Sequence, residues 1–164
     1  MAVRLKKFGD FSGKKATIYV VLNELGENPF REFAVSCGKD YEDKLLNFIG
    51  RIKSIGTQVG AIEDYFKLHE NERKGVGDNV CALYDVPDKE MRLYCVRISE
   101  QILILGGGGP KPEHIRAWQD CPILSKAARY MISISETIKT RLQTGTLAIS
   151  DNGMEFTGDL VIIK

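Results

Sequence analysis

"RLYCVRISEQILILGGGGPKP", residues 92–112, decides how the rest of the chain is read. Two apolar runs stand back to back, separated only by Ser99, Glu100 and Gln101, and the second ends in four glycines at 106–109 before Pro110, Lys111 and Pro112. A link that short joins antiparallel strands and leaves no room for a crossover. The glycines raise the question of phosphate binding. A Walker loop needs GxxxxGK followed by Ser or Thr, but Lys111 follows a proline and Pro112 stands in the place of the hydroxyl. The dinucleotide fingerprint needs a parallel βαβ unit around its glycines, and two prolines remove backbone donors from any anion nest. The glycines are therefore expected to let a strand end flex or pass close to another backbone, and to deliver Lys111 to the rim of the sheet.

Upstream, VCALYDV (80–86), closed by Pro87 and Asp88, and MRLYCVRIS (91–99) join QILILG (101–106) in a three-strand antiparallel meander. ATIYVVL (16–22) reads as a further strand, rich in β-branched and aromatic side chains. Asn28 and Pro29 read as the N-cap and first position of a short helix, although the Phe33, Val35, Cys37 alternation also suits a strand. At 41–56, Leu45, Phe48, Ile49, Ile52 and Ile55 make one apolar helical stripe. YFKLH (65–69) reads as a short strand or an approach to one, and ERKGVGDN (72–79) as a charged loop.

Downstream, EHIRAWQD (113–120) is expected to be helical, and a longer helix runs from about Ile123 to Leu142. Its Leu124, Ala127, Ala128, Met131, Ile134 and Ile138 share a face that packs on the sheet or on a partner. TLAIS, the turn Asp151, Asn152, Gly153, and MEFTGDLVII complete the chain as a hairpin. The expected class is α+β: an N-terminal strand and helices packed on an antiparallel meander, then a long helix and a C-terminal hairpin.

At 164 residues and 43% hydrophobic content, one domain spanning 1–164 is expected. Lys plus Arg (23) nearly balance Asp plus Glu (22), so any basic site must be local. Cys37, Cys81, Cys95 and Cys121 form no CxxC pair and read as buried free thiols. No metal site and no cofactor are expected. The N-terminus lacks the apolar stretch of a signal peptide, and no run is long enough to span a membrane, so a cytoplasmic protein without membrane contact is expected.

"FKLHE" at 66–70, "LYDVPDKEMRLYCVRISEQILILGGGGPKPE" at 83–113 and the order strand, helices, meander, helix together resemble the RelE/HigB-like (RelE/ParE) superfamily of bacterial toxins from toxin-antitoxin systems. The resemblance covers about 16–118 and leaves 119–164 as a C-terminal extension. It implies ribosome-dependent endonuclease action on mRNA (an mRNA interferase), inhibition of translation and neutralisation by a cognate antitoxin. Arg92 matches the arginine of the middle strand, Lys111 the basic residue after the last strand, and Lys67 with His69 the segment leading into the meander.

Such chemistry would be metal-independent. RNA cleavage of this kind needs a base for the 2′-hydroxyl, a cation for the phosphate and an acid for the leaving oxygen. Arg92 suits the phosphate because its guanidinium is a permanent bidentate donor. Lys111 is read as a second phosphate contact, His69 as base or acid, and Tyr94 as a catalytic candidate because it flanks Arg92. Lys67, Arg73, Lys74 and Arg97 are the expected RNA-binding residues. His114 reads as a surface histidine and Trp118 as a packing anchor, with base stacking as its alternative. The strand at 80–86 offers only Tyr84 as a catalytic side chain. That poverty and the balanced charge motivate a second reading, a non-catalytic module of the same fold, in which the long helix and hairpin make a homodimer or partner interface.

Overall fold

The computed structural model describes residues 2–67, 79–111 and 121–164, with Lys67 described in its backbone alone. In chain order these form β1 (Val3–Lys7), β2 (Thr17–Asn23), α1 (Pro29–Cys37), α2 (Glu42–Ser54), β3 (Phe66–Lys67), β4 (Val80–Tyr84), β5 (Met91–Ser99), β6 (Ile102–Pro110), α3 (Pro122–Thr144), β7 (Leu147–Ile149), β8 (Phe156–Gly158) and β9 (Val161–Ile163). The architecture is α+β, with a long C-terminal helix followed by a hairpin.

Seven strands make one sheet in the order β3-β4-β5-β6-β2-β1-β9, and β7 pairs with β8 separately. Both faces of the large sheet are covered. Tyr19, Ala82, Tyr94, Val96 and Ile104 pack toward Leu124, Met131 and Ile134 of α3. Ile18, Leu83, Leu93, Cys95 and Leu103 pack toward Phe30 and Phe33 of α1 and Phe48 and Ile52 of α2. A strand covered on two sides reads as a continuous apolar run, which is why ATIYVVL and QILIL show little alternation.

Helix α1 resolves the ambiguity at 29–37. The Asn28 side chain accepts a hydrogen bond from the Arg31 N–H at 2.8 Å, and Pro29 occupies the first turn. Phe30, Phe33 and Cys37 are buried at helical spacing while Val35 is 74% exposed, so the alternation is not used. The stripe of α2 continues into a π-helical turn (Ile55–Val59) that buries Ile55. Helix α3 packs on the sheet and buries Leu124, Ala128, Met131, Ile134 and Ile138.

The meander is present, and β6 differs from expectation in two ways. First, the strand does not end at the glycines; it runs through them to Pro110. Leu93 pairs with Gly108 and Cys95 with Leu105, so Gly106 and Gly107 together oppose Tyr94 in a β-bulge. A Cβ on Gly108 would lie 1.8 Å from the Arg92 carbonyl oxygen, and one on Gly106 would lie 2.5 Å from the Met131 side chain. The glycines admit close approach of a backbone on one side and of α3 on the other. Second, β6 has a parallel neighbour, β2, with Thr17 to Val20 against Ile102 to Leu105. The links within the meander are too short for a crossover, as expected, but the chain returns to the side of β2 through α1, α2, β3, β4 and β5.

The N-terminus reads by sequence only as a basic lead, yet Val3 and Leu5 are buried and β1 pairs with β2 and β9. The C-terminal segment is also more divided than a simple hairpin. Gly158, at φ +88°, turns the chain after β8, and β9 joins the large sheet beside β1. All four cysteines are buried and free. No helix among the described residues is long and apolar enough to cross a membrane.

Candidate nucleic-acid interface

Two of the candidate residues, Arg92 and Lys111, stand at the end of the β4-β5-β6 meander that holds the 85–90 turn. Arg92 stands opposite Tyr84 on β4 and Gly109 on β6. One pair further, Met91 opposes Pro110, and the Lys111 N–H donates to the Glu90 carbonyl at 2.8 Å, extending the ladder. Arg92 and Lys111 therefore occupy diagonal positions on adjacent strands, on one face of the pleat, with Cβ atoms about 7–8 Å apart. Two cations at that spacing suit the oxygens of one phosphate or of two neighbouring ones. Arg92 is 9% exposed and Lys111 is half-buried, so the pair is set into the rim.

The 85–90 turn shapes the electrostatics of this end. Asp85 is fully buried and accepts a 2.7 Å hydrogen bond from the Met91 N–H, while the Asp85 carbonyl accepts from the Lys89 N–H. Lys44 of α2 donates to Asp88 and lies 3.7 Å from Asp85 and 3.9 Å from Glu90. The hydrogen bond to Asp88, helped by the three carboxylate charges, holds the Lys44 ammonium above its ordinary pKa. Lys89 stands 4.9 Å over the Tyr84 ring, and Arg51 lies 4.6 Å from the Tyr65 ring and 5.8 Å from that of Tyr84. The corner thus mixes cations with carboxylates rather than presenting a uniform basic patch.

The remaining expected residues disperse. Tyr94 shares a face with Arg92 but is fully buried in the core under α3, so its ring packs instead of meeting solvent. Arg97 lies on the opposite face; its Nε donates to the Ala61 carbonyl at 2.6 Å and its N–H to Asn79, which ties down the segment before β3. Lys67, on the edge strand β3, pairs with Ala82 of β4, which in turn pairs with Tyr94, so Lys67 lies two strands away from β5. His69, Arg73, Lys74, His114 and Trp118 lie outside the described residues. The structure therefore joins Arg92 with Lys111 and separates Arg97 from them.

Sequence reading did not find the Lys44 cluster. Its one signal was Asp85 just before Pro87, where a short carboxylate bonds the following backbone in a tight turn. The partner lysine lies on another helix 41 positions away in the chain, beyond any local pattern. Among the described residues no three His, Cys, Asp or Glu side chains come together as a metal site. No protein-family model, curated protein or solved structure matches the chain.

Proposed function

We propose that the protein is a RelE/HigB-like toxin, a cytoplasmic, ribosome-dependent mRNA endonuclease whose phosphate-binding pair is Arg92 and Lys111. The observation that carries this reading is the diagonal placement of those residues at the end of a meander preceded by a strand and two helices. In the reaction a base takes the 2′-hydroxyl proton, the 2′-oxygen attacks phosphorus, the bond to the 5′-oxygen breaks, and an acid protonates that oxygen. Arg92 and Lys111 hold the charged phosphate oxygens during the transfer. His69 is assigned the base or acid role on chemical grounds. Tyr94, buried in the core, is left out of the chemistry. mRNA, the ribosome and a cognate antitoxin are the proposed partners.

Induced expression should arrest growth and cleave mRNA on isolated ribosomes, and Arg92→Ala should abolish both in a chain that circular dichroism shows to remain folded. Unimpaired growth and intact mRNA on expression of the wild-type chain would reject the reading.

A second reading, a non-catalytic binding module of the same fold, is favoured by the carboxylates of Asp85, Asp88 and Glu90, which gather around Lys44 in the turn that leads into β5. Carboxylates repel an RNA backbone. Cleavage on isolated ribosomes that Arg92→Ala removes rejects this module.

A further inference from the structure

Strands β2 and β6 run parallel but do not stay together. Their ladder ends at Val20 and Leu105, although β2 continues to Asn23 and β6 to Pro110. Beyond Leu105 the five residues 106–110 of β6 span roughly 16 Å of strand. A cavity of about 530 Å³ opens where the strands part, bounded by Asn23 at the end of β2 and by Gly107 and Gly108 on β6. Pro29, Glu32 and Phe33 of α1 wall it on one face of the sheet, and Ile123, Ala127 and Tyr130 of α3 on the other. The opening thus lies in the plane of the sheet, between two helices, at the carboxyl ends of adjacent parallel strands. Crevices at such ends are where open sheets with parallel strands bind ligands.

We infer that this slot receives an extended peptide segment of a partner protein, which meets the backbone of β6 at Gly107 and Gly108. A strand is the shape that fits, because its backbone meets the edge of β6 while alternate side chains turn toward α1 and α3. Apolar groups await them on both sides: Pro29 and Phe33 below, Ile123 and Ala127 above. Ile123 is 63% exposed and Tyr130 36%, so part of this apolar lining is uncovered.

Charge sets the peptide's chemistry. The α1 wall carries Glu32 and the α3 wall carries Lys126. A basic side chain facing α1 and an acidic one facing α3 must sit an odd number of positions apart, since neighbours on a strand point to opposite faces. Burial, with the Glu32 charge second, raises the Tyr130 hydroxyl above its ordinary pKa, and Tyr130 lines the slot. Glu27 adds a second carboxylate to the lining, which disfavours a nucleic-acid backbone. Beyond α1 a second hollow shares Glu27, Asn28, Glu32 and Ser36 with the first and carries the exposed Leu25 and Val35. A longer peptide has a path over it.

The inference does not rest on the nuclease reading, because peptide binding and RNA cleavage are measured separately. A phage-displayed library of random octapeptides is panned on the full chain, and the enriched peptides are synthesised and titrated by fluorescence anisotropy. Enrichment of β-branched or apolar peptides carrying a basic and an acidic residue at odd spacing is expected. Their binding should weaken at least tenfold in Ala127→Trp, and Glu32→Lys should shift the preference away from basic residues. Amide exchange at 106–109 should slow in the complex. Should Ala127→Trp fail to fold, Ser36→Trp, on the exposed lip of the slot, replaces it. The inference is overturned if no peptide is enriched, or if the tryptophan and charge variants bind the selected peptides as wild type does. It is equally overturned if a single-stranded RNA oligonucleotide, rather than a peptide, is the ligand those variants lose.

Discussion

The Tyr19 hydroxyl on β2 accepts a 2.9 Å hydrogen bond from the Phe156 N–H on β8, and the two rings stand 5.1 Å apart at 59°. This contact spans 137 positions and fastens the small C-terminal hairpin to the large sheet. Both residues are buried. Tyr19→Phe keeps the ring and orphans the Phe156 N–H, so a loss of about 1–3 kcal/mol is expected in urea unfolding. An unchanged midpoint and slope would show that the hairpin stands without this bond.

Alkaline pH should weaken the fold. Burial pushes the Cys95 thiol up to about 12 from 9.0, and burial also raises Tyr19 above 10.0 despite its bond from Phe156. Both groups ionise earlier in the unfolded chain, which then binds fewer protons than the native one, so stability is full below the unfolded value and falls as pH rises toward the folded one. Each group adds a slope of up to about 1.4 kcal/mol per pH unit in its window. Urea titrations between pH 8 and 11 should show the decline beginning near 9, and Cys95→Ala should flatten its first part. Native chains should also resist thiol reagents at pH 8, with all four cysteines reacting after denaturation.

Gly107 and Gly108 are neighbours with different tolerances. A Cβ at Gly108 meets the Arg92 carbonyl at 1.8 Å, whereas the nearest atom to one at Gly107 is a Pro29 carbon at 3.4 Å. Gly108→Ala is expected to cost about 3 kcal/mol or more through forced backbone movement. Gly107→Ala should stay within about 1 kcal/mol. Chemical denaturation of both variants reads the difference, and equal losses would contradict the bulge register.

Asp85 anchors the turn that carries the start of β5. It is fully buried, accepts from the Met91 N–H at 2.7 Å and lies 3.7 Å from the Lys44 ammonium. Asp85→Ala leaves that N–H without its acceptor, and a cost of about 2–4 kcal/mol follows. Lys44→Ala should also destabilise, because the Asp85 charge stays buried. If the double variant loses no more than Asp85→Ala alone, the two act as one unit; simple additivity would show that they do not interact.

Legibility followed the range of the cause. The helical stripe of Leu45, Phe48, Ile49 and Ile52 and the Asn28-Pro29 cap act within a few residues, and both elements are present. The meander was legible because its links are short. Strand β1 was not, since in VRLKK only Val3 and Leu5 face inward and the rest is solvated. At the candidate site, the closeness of Arg92 and Lys111 follows from consecutive strands and was readable. The burial of Tyr94 depends on α3, which enters the chain 28 positions later, and so had no local signal.

Local periodicity and spacing are enough for α2, α3, β2 and the meander, and for cysteines that form no CxxC pair. Long-range contacts set the rest: β6 passes through its glycines, β2 lies parallel beside it, and the two part to leave a slot between α1 and α3. Which strands meet, and where their ladder stops, depends on contacts between residues some 85 positions apart. Such pairings follow from how three layers close over a common core, not from any one segment's pattern.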